Sequence, residues 1–311
     1  MTFKNIVFTN DVAKSLAEFF QKNSYSSIAV LVDENTHEFC YPIVKESIPK
    51  HILIKTVSGE QNKTIETCCS IWQELTKAAF DRKSLLINLG GGVIGDMGGF
   101  CARTYKRGID FINIPTTLLA QVDANVGGKL GVDFNSFKNH IGLFSDPDLI
   151  IIDKIFLETL PQRELISGFA EVIKHHLIAD GQGWDDLKKK SMNKLNFDNL
   201  VLHSVKIKQN IVDQDPREKG LRKVLNFGHT IGHAIESYLL NTERKILHGE
   251  GAAAGMICET FLAADKGLVN DKEKKEIIDY LANTYSKVPI ETDDIDEIVR
   301  LTGQDKKNKC C

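Results

Sequence analysis

The chain has 311 residues, 42% hydrophobic and 26% charged, with 39 Lys plus Arg against 42 Asp plus Glu and a formal net charge of -3. That length suits about two domains around sizeable cores, and the composition excludes a disordered chain, a collagen and a coiled coil. There is no overall basic field to draw in nucleic acid, and no apolar run nears the ~20 residues of a membrane-spanning helix. Met1 to Asn5 lacks the apolar core of a signal peptide, and seven cysteines without a Cys-x-x-Cys spacing read as reduced thiols of a cytoplasmic protein.

In chain order, Ser27–Asp33 is a strand by its apolar run and polar stop. Asp33-Glu34-Asn35-Thr36 follows it, where a carboxylate could bond ribose hydroxyls. His51–Val57 is a second strand and Ile65–Phe80 a helix. Ser84–Leu89 is a third strand, and it runs into Gly90-Gly91-Gly92-Val93-Ile94-Gly95-Asp96. Glycines at 90, 92 and 95 have the dinucleotide spacing, because backbone N–H groups must reach a pyrophosphate without a Cβ in the way. A tight glycine turn with no ligand is the plainer alternative. The acidic residue expected about 20 positions later has no clear strand end here, so the connectivity is not a standard Rossmann unit. Ile109–Ile114 is a short strand stopped by Pro115. Strand and helix alternate, which implies parallel strands with crossover helices. Gly127-Gly128-Lys129 and Lys138-Asn139-His140 read as anion contacts on loops.

From about Pro161 the pattern becomes helical: Arg163–Ala179, Asn199–Asp213, Leu225–Leu240 and Glu250–Lys266. The join falls near Asp146–Asp153, which gives a domain of residues 1–152 and another of 153–311. Glu171 is a carboxylate inside an apolar helical stretch, and a buried Glu needs a partner. His229 and His233, at i and i+4, share one helix face, and His248 offers a third imidazole at a loop-to-helix junction. Two imidazoles and one carboxylate with an open position suit a catalytic zinc; unrelated histidines on one face are the alternative. Arg107, Lys129, Lys138, Lys174, Lys208 and Arg222 sit in apolar or glycine-rich surroundings. So many fixed cations imply a small anionic substrate; for any one of them, a surface lysine with its stem on apolar neighbours is the alternative. Lys188–Lys190 and Lys272–Lys275 are solvated helix faces.

These segments, with Tyr105-Lys106-Arg107-Gly108, Pro115–Asp123, Gly168–Lys174, Gly220–Glu236 and His248-Gly249-Glu250, resemble the 3-dehydroquinate synthase family of sugar-phosphate cyclases over nearly the whole chain. The resemblance implies an α/β N-terminal nucleotide-binding domain with a parallel sheet, and an all-α C-terminal metal-binding domain. It implies an NAD that is reduced and reoxidised within one turnover, a divalent zinc or cobalt, and a homodimer. The reaction implied is a lyase step of the shikimate pathway, toward aromatic amino acids. It converts 3-deoxy-D-arabino-heptulosonate 7-phosphate to 3-dehydroquinate and phosphate.

Carried over by position, Glu171, His229 and His248 match metal ligands. Asp33, Asn35, Glu60, Lys63, Gly91, Gly92, Val93, Asp96, Thr116 and Thr117 match NAD contacts. Asp123, Lys129, Lys138, Asn139, Lys174, Lys208, Arg222, Asn226 and His233 match substrate-site residues, and Lys306 a C-terminal lysine contact. Arg107 matches an arginine that reaches the neighbouring subunit's phosphate. Two features depart from the family. Asp133 stands where an asparagine is expected, and the chain ends soon after Lys306, an end shorter than the family's. A cyclase making an inosose or a valiolone, a metal-dependent polyol dehydrogenase and an inactive NAD-binding homologue are the rival readings.

Overall fold

The structure is a computed structural model that describes residues 5–135 and 137–303, with the backbone alone for Phe137. The described residues fold as two compact units, one within 1–161 and 197–205, the other within 162–196 and 206–311.

The first unit is a sheet with helices on both faces. Its elements open with β1 (Ile6–Thr9), α1 (Val12–Lys22), β2 (Ile28–Val32), α2 (Glu34–Phe39), a single turn α3 (Tyr41–Val44) and β3 (Ile52–Lys55). They continue with α4 (Ile65–Lys77), β4 (Leu85–Gly90), α5 (Gly92–Thr104), β5 (Asp110–Pro115), a hairpin of β6 (Lys129–Phe134) and β7 (Phe137–Phe144), and β8 (Leu149–Asp153). Six strands pair in the order β1-β8-β5-β4-β2-β3, all parallel. Every residue of β2 and β4 is buried, as expected where helices cover both faces of a parallel sheet and leave no polar side. Alternate residues feed two cores. Ala29, Leu31 and Leu86 join Leu75, Met97 and Phe100 from α4 and α5. Val30, Val32, Ile87 and Leu89 join Val12 and Leu16 from α1.

Four sequence-predicted strands appear within a residue or three of their expected bounds; β1, β8 and the hairpin are not among the expected elements, although β8 carries the same apolar run and polar stop, Leu149–Asp153, that marks β2. Lys129, Lys138 and Asn139 therefore lie on strands, not on loops. The hairpin packs Leu130 and Val132, and partly Ile141 and Leu143, into the first core. Gly131 and Gly142 interrupt that alternation and hide its period.

The second unit is helical among the described residues. It holds α6 (Gln162–Ala179), α7 (Gly181–Leu187), the latter part of α8 (Phe197–Gln214), α9 (His229–Leu239), α10 (His248–Asp265), α11 (Asp271–Thr284) and α12 (Ile295–Thr302). The helix expected from Leu225 is split: Leu221–Asn226 is a 3₁₀ segment, and α9 starts only after Gly228. Gly228 has φ +80°, and a Cβ there would lie 2.5 Å from Met256 Cγ, so only glycine suits the break. Lys188–Lys190 follow α7, and Lys188 is ion-paired to Asp185 and Glu276 at 2.6 and 2.5 Å. Among the described residues, no helix is long and apolar enough to cross a membrane.

Candidate functional site

The sheet places several of the expected cofactor residues at one end. β2 leads outward to β3, while β4 returns to the other side of β2 and leads to β5. This is a topological switch point, where the carboxyl ends of parallel strands leave a crevice for a ligand. β2 and β4 are neighbours, with Leu31 opposite Asn88. Asp33 follows β2, Gly91 and Gly92 follow β4, and Thr116 and Thr117 follow β5. The acidic residue is thus beside the glycine turn in the sheet, although it precedes that turn in the chain. Asp33 caps α2 by accepting from Thr36 N at 2.7 Å, and Asn35 is exposed on the first turn. Gly91 caps α5 with no side-chain hydrogen bond, and Gly92 and Val93 open the helix. First-turn N–H groups and the helix dipole there favour an anion. The same turn is packed tightly: a Cβ on Gly95 would lie 1.7 Å from Asn125 Oδ1. A helix N-terminus with a carboxylate on the adjoining strand fits a dinucleotide's pyrophosphate and ribose.

A charged network lies alongside. Lys63 is buried, and its Nζ donates to Asp96 Oδ2 and to Asn139 Oδ1, both at 2.6 Å. Burial pulls the Lys63 ammonium down, but Asp96, Glu60 and Asp133 outweigh it and hold its pKa above the ordinary lysine value. Lys138 Nζ lies 3.2 Å from Glu60. Lys129 is exposed at the start of β6, and Asp123 is half-buried on a π-helical turn, Ala120–Ala124. Arg107 is apart from this group. It precedes β5, at the opposite end of the parallel sheet from the glycine turn, and is exposed with φ +69°.

In the second unit α6 is buried throughout Ser167–His176. From it Glu171 projects with no exposure, Oε2 ion-paired to Lys174 and Oε1 toward two histidines. His229 Nε2 is 3.4 Å and His248 Nε2 3.5 Å from that oxygen. Each ring is anchored by its other nitrogen. His229 Nδ1 lies 3.2 Å from Phe227 O, and His248 Nδ1 lies 3.2 Å from Glu236 Oε2. A ligating histidine usually has such an outer partner, which fixes the tautomer and leaves Nε2 for the metal. Two imidazoles and a carboxylate converging this way suit a tetrahedral Zn²⁺ or Co²⁺ with an open position. Burial lowers the His248 pKa, but Glu171 and Glu236 outweigh it and push it up to about 9.

His233 joins this cluster, its ring 4.9 Å from His229 and 5.5 Å from His248. Geometry alone admits it as a ligand beside the other two. Glu236 escaped the sequence reading, though it carries the signal that flagged Glu171, a carboxylate on an apolar helix. The start of α10 is fixed in turn. Glu250 accepts from Leu247 N at 2.8 Å and forms a forked pair with Arg163 at 2.7 and 2.8 Å. Lys208 and Arg222 are buried. Arg222 Nη1 donates to Pro216 O at 2.8 Å, and Asn226 Nδ2 to Glu218 Oε1 at 2.9 Å. Lys306 lies outside the described residues.

Comparison with known proteins matches residues 53–167 to a family model described as 3-dehydroquinate synthase N-terminal and residues 168–308 to 3-dehydroquinate synthase C-terminal. A 3-dehydroquinate synthase of Parabacteroides distasonis is 40% identical over 99% of this chain and 89% of its own. That of Desulforamulus reducens is 43% identical over 80% of this chain and 72% of its own. Among solved structures, 2-deoxy-scyllo-inosose synthase in complex with carbaglucose-6-phosphate, NAD+ and Co2+ aligns with a TM-score of 0.83 at 25% identity, covering 97% of this chain and 85% of that one. The 2-epi-5-epi-valiolone synthase of Streptomyces hygroscopicus shares the fold, with a TM-score of 0.86 at 24% identity over 97% and 86% of the two chains. With relatives this similar over nearly its whole length, the chain belongs to the 3-dehydroquinate synthase family.

Proposed function

We propose that the chain converts 3-deoxy-D-arabino-heptulosonate 7-phosphate to 3-dehydroquinate and inorganic phosphate, using NAD and zinc. The observation that carries this reading is the convergence of His229 and His248 Nε2 on Glu171 Oε1, with both Nδ1 atoms tied back. Glu171, His229 and His248 would hold the ion, and Asp33, Asn35, Glu60, Lys63, Gly91, Gly92, Val93, Asp96, Thr116 and Thr117 would hold NAD. When bound, NAD supplies a hydride acceptor that returns its hydride, and the ion supplies Lewis acidity toward a substrate hydroxyl. Lys129, Lys138 and Asn139 would orient the substrate phosphate as a leaving group, where fixed cations and an amide act without reorganising. Arg222 and Asn226 would hold the carboxylate end, with His233 and Lys174 on the substrate side. Lys208 and Asp123 would move protons at the hydroxyls. Arg107, exposed at the far end of its own sheet, would serve the site of a second copy in a homodimer. Five cysteines of the described residues are free thiols, which suits a cytoplasmic enzyme.

The reaction has no net redox change. With NAD and zinc added, phosphate is released from the heptulosonate phosphate, chelator treatment stops it, and NADH does not accumulate. NADH accumulating in step with turnover would instead mark a polyol dehydrogenase. Release from a hexose phosphate but not from the heptulosonate would mark another cyclase.

A further inference from the structure

Asp133 has no part in the roles above, and its surroundings give it one. It sits where the β6–β7 ladder slips register, between Val132 and Phe134. The extra residues are on β7, where Lys138, Asn139 and His140 stand against Asp133 alone, and such a bulge bends its own strand and re-aims its side chains. The Asp133 N–H donates to Lys63 O at 2.9 Å. Its Oδ1 accepts the Asn139 N–H at 2.7 Å. Asn139 has a left-handed φ of +50°, which asparagine tolerates better than other residues with a Cβ, and the bond to Asp133 helps hold it there. Asn139 Oδ1 in turn accepts from Lys63 Nζ at 2.6 Å. Asp133 therefore joins the Glu60–Lys63 segment, through its backbone N–H, to the strand that carries Lys138 and Asn139, through its carboxylate.

We propose that Asp133 is a positioning residue that, through its bond to the Asn139 amide, holds Asn139 and Lys138 in the conformation that receives the substrate phosphate. This rests on the phosphate-binding role proposed for those two residues. The groups facing Asp133 are Glu60, Lys63 and Lys138, with Asp96 on the far side of Lys63. Burial and Glu60 raise its pKa, Lys63, the Asn139 amide and Lys138 lower it, and it settles at about 6. The anion forms as pH rises through that value, and its bond to the Asn139 N–H strengthens with it.

The test compares the full-length holoenzyme with Asp133→Asn, which keeps an acceptor and removes the charge, and Asp133→Ala, which removes both. Asp133→Ala is expected to lose about tenfold in kcat/KM, mostly through KM, as fits one hydrogen bond. Asp133→Asn is expected to lose less than about threefold at neutral pH. The wild-type to Asp133→Asn activity ratio should rise with a midpoint near pH 6. Amide exchange over 137–144, measured without substrate, should be faster in Asp133→Ala than in Asp133→Asn, which keeps an acceptor. If Asp133→Ala does not fold, Asp133→Leu, similarly branched and without an acceptor, withdraws it in its place. Wild-type kcat/KM and exchange in Asp133→Ala overturn the proposal, as does an Asp133→Asn as impaired as Asp133→Ala. Altered exchange in a chain whose wild type releases no phosphate leaves the hairpin tether standing and refutes the reaction.

Discussion

At the scale of single residues, charge and hydrogen-bond supply decide what each site group can do. His248 and His229 each present Nε2 toward Glu171 because something else occupies Nδ1: the Glu236 carboxylate for one, the Phe227 carbonyl for the other. Removing the carboxylate frees the His248 ring to rotate. Glu236→Ala is therefore expected to weaken zinc binding about 10–100-fold in a competition titration with a chelating dye. An unchanged zinc affinity would deny Glu236 that orienting role. Glu171 and the histidine pair stand out in the sequence by residue type alone. A carboxylate in an apolar helix and imidazoles four apart are chemical anomalies in a local pattern. The nitrogen each ring presents is not local, since it depends on a carboxylate seven residues after His229 and on a backbone oxygen in the break before α9.

At the scale of elements, close approach and end-capping set where the site groups stand. α10 begins at His248 and lies so near α6 that a Cβ on Gly249 would come within 1.9 Å of Ser167 O. Backbone cannot yield as a side chain can. Gly249→Ala should cost about 1–3 kcal/mol by overpacking, read as a lower melting temperature, and should weaken zinc binding as His248 shifts. Gly181→Ala, with nothing within 4 Å of its added Cβ, is the control and should be neutral or mildly stabilising. Ahead of α12, Asp294 accepts from Arg244 at 2.7 and 3.2 Å and from Tyr238 at 2.6 Å. Arg244 leads the groups that hold this carboxyl well below its ordinary 3.8. A lowered acid pKa contributes stability that is present above the unfolded value and is lost as pH falls through the folded one. Asp294→Asn should therefore melt lower than wild type at pH 7, with the gap closing below about pH 4. An equal gap at both pH values would show that the charge is not what matters. The hairpin shows why some elements are not legible in sequence. Glycines at 131 and 142 break its alternation, so only its packing on α5 reveals it as two strands.

At the scale of the whole molecule, the role proposed for Arg107 can be tested through assembly. In its own chain it precedes β5, whereas the residues proposed to bind NAD follow β2, β4 and β5 at the other end of the sheet. If it acts in a neighbouring copy, two inactive variants should complement. Arg107→Ala mixed equally with Lys129→Ala should regain about a quarter of wild-type activity after subunit exchange, since half the dimers are mixed and each has one intact site. No recovery from dimers verified as mixed would assign Arg107 to its own chain or to no site.

The sequence by itself determined what local patterns encode. Continuous apolar runs such as Ile28–Val32 and Leu85–Leu89 require strands buried on both faces, because the drive to bury apolar surface acts through that spacing. Helical periodicity did the same for α6 and α10, and residue chemistry singled out Glu171, the histidines and the glycine turn. Tertiary structure alone decided which distant segments meet. Asp33 stands beside the glycine turn only because β2 pairs with β4 across 57 positions of chain, and Asp133 meets the Asn139 N–H only because β7 bulges opposite it. Such neighbours are chosen by strand order and close packing, which leave no periodic trace along the chain.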